Sequence, residues 1–237
     1  MPPPALVIVA DHGPVRVLTL NRPEARNALS RGLIKATYTA LTEADADESV
    51  RTVVLTGTDP AFCAGVDLKE AQRDGSAYFA EFQAHSCIDA TGKMRTPIVA
   101  AVNGAVFADT HARFGILPGG GMTARLPQLV GLGMATRLSM TGEVVDAARA
   151  ERIGLVTEVV AHHRLLDRAI ELASQIAEVP GPTMLGLKEI YTTGAAVVID
   201  PALAAEQRIA FAQDRDFDGL GERFRAVSDR NKGQIES

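Results

Sequence analysis

The sequence predicts an α/β core of about 180 residues followed by an all-helical region, and three observations carry that prediction. Short apolar, β-branched runs at Thr52–Thr56 and Pro97–Val102 have the unbroken apolar character of strands buried on both faces. Segments with helical spacing lie between and after them; Leu33, Ile34, Tyr38 and Leu41 are the clearest. Finally, Pro180-Gly181-Pro182 is the sharpest break in the chain, and only helical patterns follow it. Residues 1–180 therefore read as the core and 181–237 as a helical C-terminal region. With 237 residues, 46% hydrophobic and 22% charged, the chain has enough apolar material for a sizeable core.

Taken in order, Ala5–Ala10 and Val15–Leu20 are β-rich runs separated by Asp11-His12-Gly13-Pro14, which predicts a hairpin with His12 in its loop. Ser30 is positioned as an N-cap for a helix of about 15 residues that ends in the acidic stretch Glu43–Glu48. Thr52–Thr56 is the next strand, ending at Gly57, and Asp59-Pro60 turns the chain. A small-residue bend, Phe62-Cys63-Ala64-Gly65, leads to Asp67, an N-cap for a helix starting at Leu68. Ala77–Met94 is a helical region punctuated by Gly75 and Gly92, and Pro97–Val102 a buried strand closed by Asn103-Gly104. Beyond it, Pro118-Gly119-Gly120-Gly121 precedes a helix to about Val130. Short helices follow at Gly133–Met140 and Asp146–Ile153, then a terminal strand at Leu155–Val160 and an amphipathic helix at Leu165–Glu178. Three helical stretches complete the chain, near Thr183–Thr193, Pro201–Gln213 and Gly219–Asn231.

The totals exclude several classes of function. A net charge of −5 does not suit a phosphate backbone, so no nucleic-acid partner is expected. Cys63 and Cys87 can form at most one bridge, so there is no disulfide framework. No signal peptide or membrane-crossing stretch is evident, which points to a reducing cytoplasm. The histidines are scattered and suggest no metal site; His162-His163 reads as an exposed pair.

Chemistry concentrates in the bend at 62–68. A strand that passes through small residues into a helix start leaves backbone N–H groups without partners, most plainly that of Val66. Such donors hold a negative oxygen, although many connections of this shape bind nothing. Gly119 and Gly120, at a second helix entry, allow a ligand to approach the backbone closely, but the loop lacks the ending of a nucleotide triphosphate site.

The segment A-F-C-A-G-V-D-L (Ala61–Leu68) resembles the oxyanion-hole segment of the crotonase family, the enoyl-CoA hydratases and isomerases. Asn21–Ser30, Pro97–Gly104, Gly115–Pro127 and Ala150–Val156 match the same pattern in order. The resemblance implies a spiral of ββα units and an acyl-CoA thioester as substrate, with no prosthetic group. It implies that the Val66 N–H binds the thioester oxygen and that Arg26, Ala64, Gly65, Asp67 and Leu68 surround the CoA moiety. It also implies homotrimers, often paired as hexamers, with residues 181–237 serving assembly.

One piece of the pattern is absent. In the family, the strand ending in A-V-N-G continues through a Gly-Gly turn into a buried helix, which carries a second donor and a glutamate, and then a further strand. Here Val106 runs directly into Phe107, leaving a gap of one helix–strand step. Elementary geometry marks the same place, since a parallel crossover needs roughly a dozen or more residues. The second family glutamate lies in F-x-x-P-E, where this chain has Phe107, Thr110 and His111. His111 is thus a candidate base, with Asp109 as a possible partner, or else a solvated loop residue. The resemblance implies an enoyl-CoA hydratase-type lyase of fatty-acid metabolism. Two alternatives stay open: a CoA-binding member with impaired chemistry, and an isomerase or thioester hydrolase using His111.

Overall fold

The computed structural model describes residues 4–213 and 219–236. In chain order, β1 (Val7–His12) and β2 (Val15–Leu20) are followed by a 3-10 turn at Pro23–Ala25, α1 (Arg31–Ala46) and β3 (Thr52–Gly57). Next come α2 (Leu68–Asp74), α3 (Ser76–Ala84), α4 (Cys87–Lys93), β4 (Ile98–Ala100), β5 (Val106–Phe107) and α5 (His111–Phe114). After these lie α6 (Met122–Val130), α7 (Leu132–Thr141), β6 (Val145–Asp146), α8 (Ala147–Arg152), α9 (Leu165–Glu178), α10 (Gly181–Ala212) and α11 (Leu220–Glu236). Contacts divide the chain into two units: the residues up to Ala105 with Val160–Tyr191, and Val106–Val159 with the residues from Thr192 on.

The first unit is built on a four-stranded sheet in the order β1-β2-β3-β4. The β1–β2 hairpin is antiparallel, whereas β3 runs parallel to β2 and β4 parallel to β3. The hairpin register pairs His12 with Val15, so the turn is Gly13-Pro14 alone and His12 ends the strand rather than lying in the loop. Gly13, at φ +60, permits that two-residue turn. Alternation along the strands fills both faces. Leu18, Leu20 and Val53 join one core with Leu33, Ile34 and Leu41 of α1, while Val15, Val17 and Val54 join another with Ala169 and Ala173 of α9. Each fully buried leucine, isoleucine or valine contributes about 1.5–3 kcal/mol, so these two layers are what hold the sheet. The buried face of α9 is Ala169, Ala173 and Ala177, a row of small residues at four-residue spacing that lets the helix approach the strands closely.

Local signals explain the helix limits. The Ser30 hydroxyl accepts the Leu33 N–H at 3.1 Å, as the N-cap pattern predicts. The single helical region expected over Ala77–Met94 is instead two helices, α3 and α4, set off from α2 at Gly75. The break before α4 comes from Ser86, whose hydroxyl caps the Asp89 N–H, and Gly92 lies inside α4 rather than ending it.

Three further expectations are corrected. The segment Pro97–Val102 is not a fully buried strand: only Ile98–Ala100 is extended, and Ala100 is exposed, because β4 lies at the end of the sheet. The residues 101–105 are too few for a crossover, so β5 cannot return to this sheet and pairs instead with β6, antiparallel, in the second unit. The run Leu155–Val160 is not a strand. The N–H groups of Leu155 and Val156 both reach the Ala150 carbonyl, which curls the chain under α8 onto the core of Leu138, Val145 and Ala150. Lastly, the helical stretches near 183–193 and 201–213 are one continuous helix, α10, with Pro201 inside it. A proline there leaves the carbonyl four residues back without its donor. That residue is Val197, 77% exposed, so water can take the carbonyl.

The second unit adds a layer of side chains from the C-terminal helices onto loop backbone. Glu206 of α10 is buried and accepts the N–H groups of Gly121 at 2.6 Å and Thr123 at 2.8 Å. Gln213 bridges the Gly115 carbonyl and the Leu117 N–H, and Arg230 of α11 donates to the carbonyls of Thr141 and Gly142.

Candidate functional site

The three parallel strands of the first unit send their C-terminal ends into one cluster of loops: 21–30 after β2, 58–67 after β3 and 101–104 after β4. In sheets of this kind, ligands bind outside the carboxyl ends of the strands. Asn27 ties the cluster together. It is fully buried at φ +54; its side-chain carbonyl accepts the Arg22 N–H at 2.7 Å, and its amide donates to the carbonyls of Thr58 at 2.8 Å and Ala61 at 2.7 Å. Close approach is the reason for Gly57, where a Cβ would stand 2.3 Å from the Phe62 carbonyl oxygen. The Asn103 side chain reaches Asp59, and its carbonyl accepts the Phe62 N–H, which joins the loop after β4 to the same cluster.

On this base the bend at 64–67 is pinned residue by residue. The Ala64 N–H donates to the Arg26 carbonyl at 3.0 Å, the Gly65 N–H contacts Cys63 Sγ at 3.4 Å, and the Asp67 N–H donates to the Leu29 carbonyl at 3.3 Å. In return Leu29 donates to the Gly65 carbonyl at 2.7 Å, forming a parallel bridge between Leu29 and Val66. Such a bridge uses the neighbours of Val66, so the N–H of Val66 itself is directed away from Leu29. Among the described residues it has no acceptor, alone within 64–67. The Val66 N–H thus lies on a bend whose other N–H groups are all engaged.

Asp67 caps α2 by accepting the Glu70 N–H at 3.0 Å and also accepts from Arg22. Burial pushes its carboxyl up, but the Glu70 N–H and the Arg22 guanidinium outweigh that and hold it below the usual carboxylate range. Arg22 is therefore a half-buried strut rather than a free surface charge; it also donates to the Ala28 carbonyl at 3.0 Å. Tyr78, fully buried on α3, donates its hydroxyl to the Leu29 carbonyl and braces the bend from beneath. Burial pushes the Cys63 thiol up, so it stays a neutral thiol and no nucleophile. Arg26, at φ +50, is exposed and makes no ion pair among the described residues, so its guanidinium is available to an anion.

In the second unit, His111 begins α5, and its Nδ1 lies 2.8 Å from the carboxylate of buried Asp109. Gly119 and Gly120 precede α6, whose first N–H groups are occupied by Glu206. Arg26 and Ala64–Leu68 thus come together in one unit, and His111, Gly119 and Gly120 belong to the other. Sequence reading missed Asn27, the role of Arg22 and the cap provided by Glu206. A turn asparagine was a visible signal for the first, but burial was not visible, and Glu206 lies 85 residues from Gly121. Among the described residues no cluster able to hold a metal ion occurs, and no helix is long and apolar enough to cross a membrane.

An α/β frame with a pinned, donor-bearing bend at the carboxyl end of parallel strands has the place where sheets of this kind bind small ligands. Comparison with known proteins makes it specific: the chain belongs to the enoyl-CoA hydratase/isomerase family, an enzyme family acting on CoA thioesters, whose model matches residues 11–109 and 105–216. A protein of Rhizobium meliloti (strain 1021) named "Probable enoyl-CoA hydratase" is 34% identical over 242 residues, covering 90% of this chain and 93% of its own. The 2,3-dehydroadipyl-CoA hydratase of Escherichia coli (strain K12) is 33% identical, with 86% of this chain and 88% of that one aligned. Among solved structures, an enoyl-CoA hydratase from Mycobacterium tuberculosis H37Rv superposes with a TM-score of 0.76 at 37% identity, over 86% of this chain and 97% of that one. The match also marks the gap. The family model breaks into two segments that meet at 105–109. The Rhizobium alignment runs over 242 positions while taking in only 90% of a 237-residue chain, so the relative carries residues with no counterpart here.

Proposed function

We propose that this chain binds acyl-CoA thioesters at the 64–68 bend and acts as an enoyl-CoA hydratase-type lyase of fatty-acid metabolism in the cytoplasm. The observation that carries this reading is the Val66 N–H, the one donor of residues 64–67 without an acceptor, on a bend fixed by Arg22, Asn27, Asp67 and Tyr78. In this reading the thioester oxygen accepts from Val66, and the bend residues Ala64, Gly65, Asp67 and Leu68 shape the surface around it. Arg26 supplies a cation for the CoA phosphates. Within the second unit, Gly119 and Gly120 leave backbone open to a ligand, and His111 is the group able to move protons, where the family has glutamate. Oxyanion donors act because they are already oriented toward charge that develops in the reaction, and one such donor is typically worth ~10²–10³ in rate.

A second reading is favoured by the absent step after Val106. With no crossover helix there, the chain lacks the segment that carries the second donor and a glutamate in the family. A CoA-binding member with weak hydratase chemistry, or one running isomerisation or thioester hydrolysis through His111, then fits better. Calorimetry with CoA and with crotonyl-CoA, beside the rate of crotonyl-CoA hydration, separates the readings. Binding with hydration supports the first, binding without hydration the second, and no heat at millimolar ligand sinks both.

The chain is also proposed to self-associate, as a trimer or a pair of trimers, through its C-terminal helices. Ile190 (67% exposed), Tyr191 (76%), Val197 (77%) and Val198 (53%) support this. The first two are an uncovered apolar pair in the part of α10 that belongs to the first unit, and the last two are another in the part that belongs to the second.

A further inference from the structure

The pair Asp109–His111 has consequences that follow from the chemistry of the two groups. Asp109 Oδ1 accepts the backbone N–H of His111 at 3.2 Å and lies 2.8 Å from its ring Nδ1. The carboxylate is buried, whereas the imidazole is 39% exposed. Burial pushes the Asp109 carboxyl up, but hydrogen bonds from His111 and Ser139 outweigh it and hold the group below the usual carboxylate range. Asp109 is therefore ionised at neutral pH, and an ionised carboxylate only accepts hydrogen bonds. The 2.8 Å contact is a hydrogen bond only if Nδ1 carries the proton. A neutral imidazole has one N–H, so Nε2 is left with its lone pair. The backbone N–H bond to the same oxygen fixes the carboxylate against the start of α5, so the ring is oriented as well as protonated on one side.

Of the other histidines, His12 and His163 are exposed, and His162 meets through Nε2 a carboxylate, Asp59, that is itself 63% exposed. His85 Nδ1 lies 2.6 Å from Glu81 Oε1, but that contact lacks hydrogen-bond geometry, so it does not set the tautomer as the Asp109 contact does.

We propose that Asp109 is a positioning residue: it holds His111 in the Nδ1–H tautomer and so makes Nε2 the proton acceptor in this chain's acyl-CoA chemistry. The inference rests on the reading of His111 given above. In the base step, one proton moves to Nε2 and its lone pair becomes the new N–H bond. The ring is then a cation whose charge faces the Asp109 carboxylate, as in other histidine–carboxylate pairs. The donor of the proton keeps the bonding electrons, and no oxidant or further reactant is required.

Long-range nitrogen–proton NMR of ring-labelled protein, at a pH where His111 is neutral, reads the tautomer directly. The expected result is Nδ1–H for His111, and a shift towards Nε2–H in Asp109→Ala, with His12 and His163 unchanged as internal controls. An Nε2–H or mixed tautomer in the unmodified protein overturns the inference without any variant having to fold; so does an unchanged tautomer in Asp109→Ala. Turnover of acyl-CoA in His111→Gln distinguishes the two levels, with a fall of about 10²-fold expected for a lost general base. Turnover unchanged in His111→Gln, or absent from the unmodified protein, overturns the acceptor role even if the tautomer is as stated. Lost turnover with a mixed tautomer keeps the role of His111 and removes that of Asp109.

Discussion

Asn27→Ala is the most informative single perturbation of the first unit. The side chain is fully buried and makes three hydrogen bonds, one accepted from Arg22 and two donated to Thr58 and Ala61. At about 1 kcal/mol each, their loss is worth about 3 kcal/mol. The residue also sits at φ +54, where asparagine is tolerated and alanine adds about 1 kcal/mol. The expected loss of about 4 kcal/mol is a large share of a typical folding stability of about 5–15 kcal/mol. In urea, with a slope near 2 kcal/mol/M, the midpoint falls by about 2 M while the slope is retained. Affinity for CoA should fall with it, because the 58–61 loop loses its tie to 22–27. Asn27→Asp keeps volume and acceptor but turns a carboxylate oxygen towards two carbonyls, so at neutral pH it should cost at least as much. If both variants unfold within about 1 kcal/mol of the unmodified protein, the view of Asn27 as the hub of the loops is wrong.

Other outcomes follow from the same geometry. Asp67 has a folded-state pKa below its unfolded value, so its contribution is present above about pH 4 and lost as pH falls through the folded value. Asp67→Asn should flatten that part of the acid limb; equal acid dependence in both proteins would count against the Arg22–Asp67 strut. Gly104→Ala and Gly13→Ala share nearly the same φ, +58 and +60, but only the first brings a Cβ to 2.4 Å from a carbonyl oxygen, that of Pro60. The first should therefore cost clearly more than the ~1 kcal/mol of left-handed backbone that both incur, and equal losses would remove the close-packing argument. Glu206→Ala should raise hydrogen exchange at Gly121 and Thr123, which it caps; unchanged protection there would mean the cap carries no load. Tyr191→Asp with Val197→Asp should lower the mass found by light scattering towards 25.1 kDa, whereas a protein already of that mass without the changes would end the assembly proposal.

Sequence alone determined the elements whose signals are local. The Ser30 and Asp67 caps, the β1–β2 hairpin, the core strand from Thr52, the amphipathic helix over Leu165–Glu178 and the small-residue bend before Asp67 were all legible, because a cap, a turn or an apolar period acts over a few residues. The interruption after Val106 was legible too, since too few residues remain for a crossover whatever surrounds them. Tertiary structure decided the rest. The strand-like run Leu155–Val160 became a curl under α8, and Ile98–Ala100 became a half-covered edge, because strand formation needs a neighbour that composition cannot supply. Pro201 fits within one helix because the residue four back, Val197, is exposed, where water can satisfy the carbonyl that loses its donor. Asn27 and Glu206 gained their roles only when burial removed water as a competing partner and left backbone groups 31 to 85 residues away to be satisfied, and Arg22 gained its own from the Asp67 carboxylate 45 residues on.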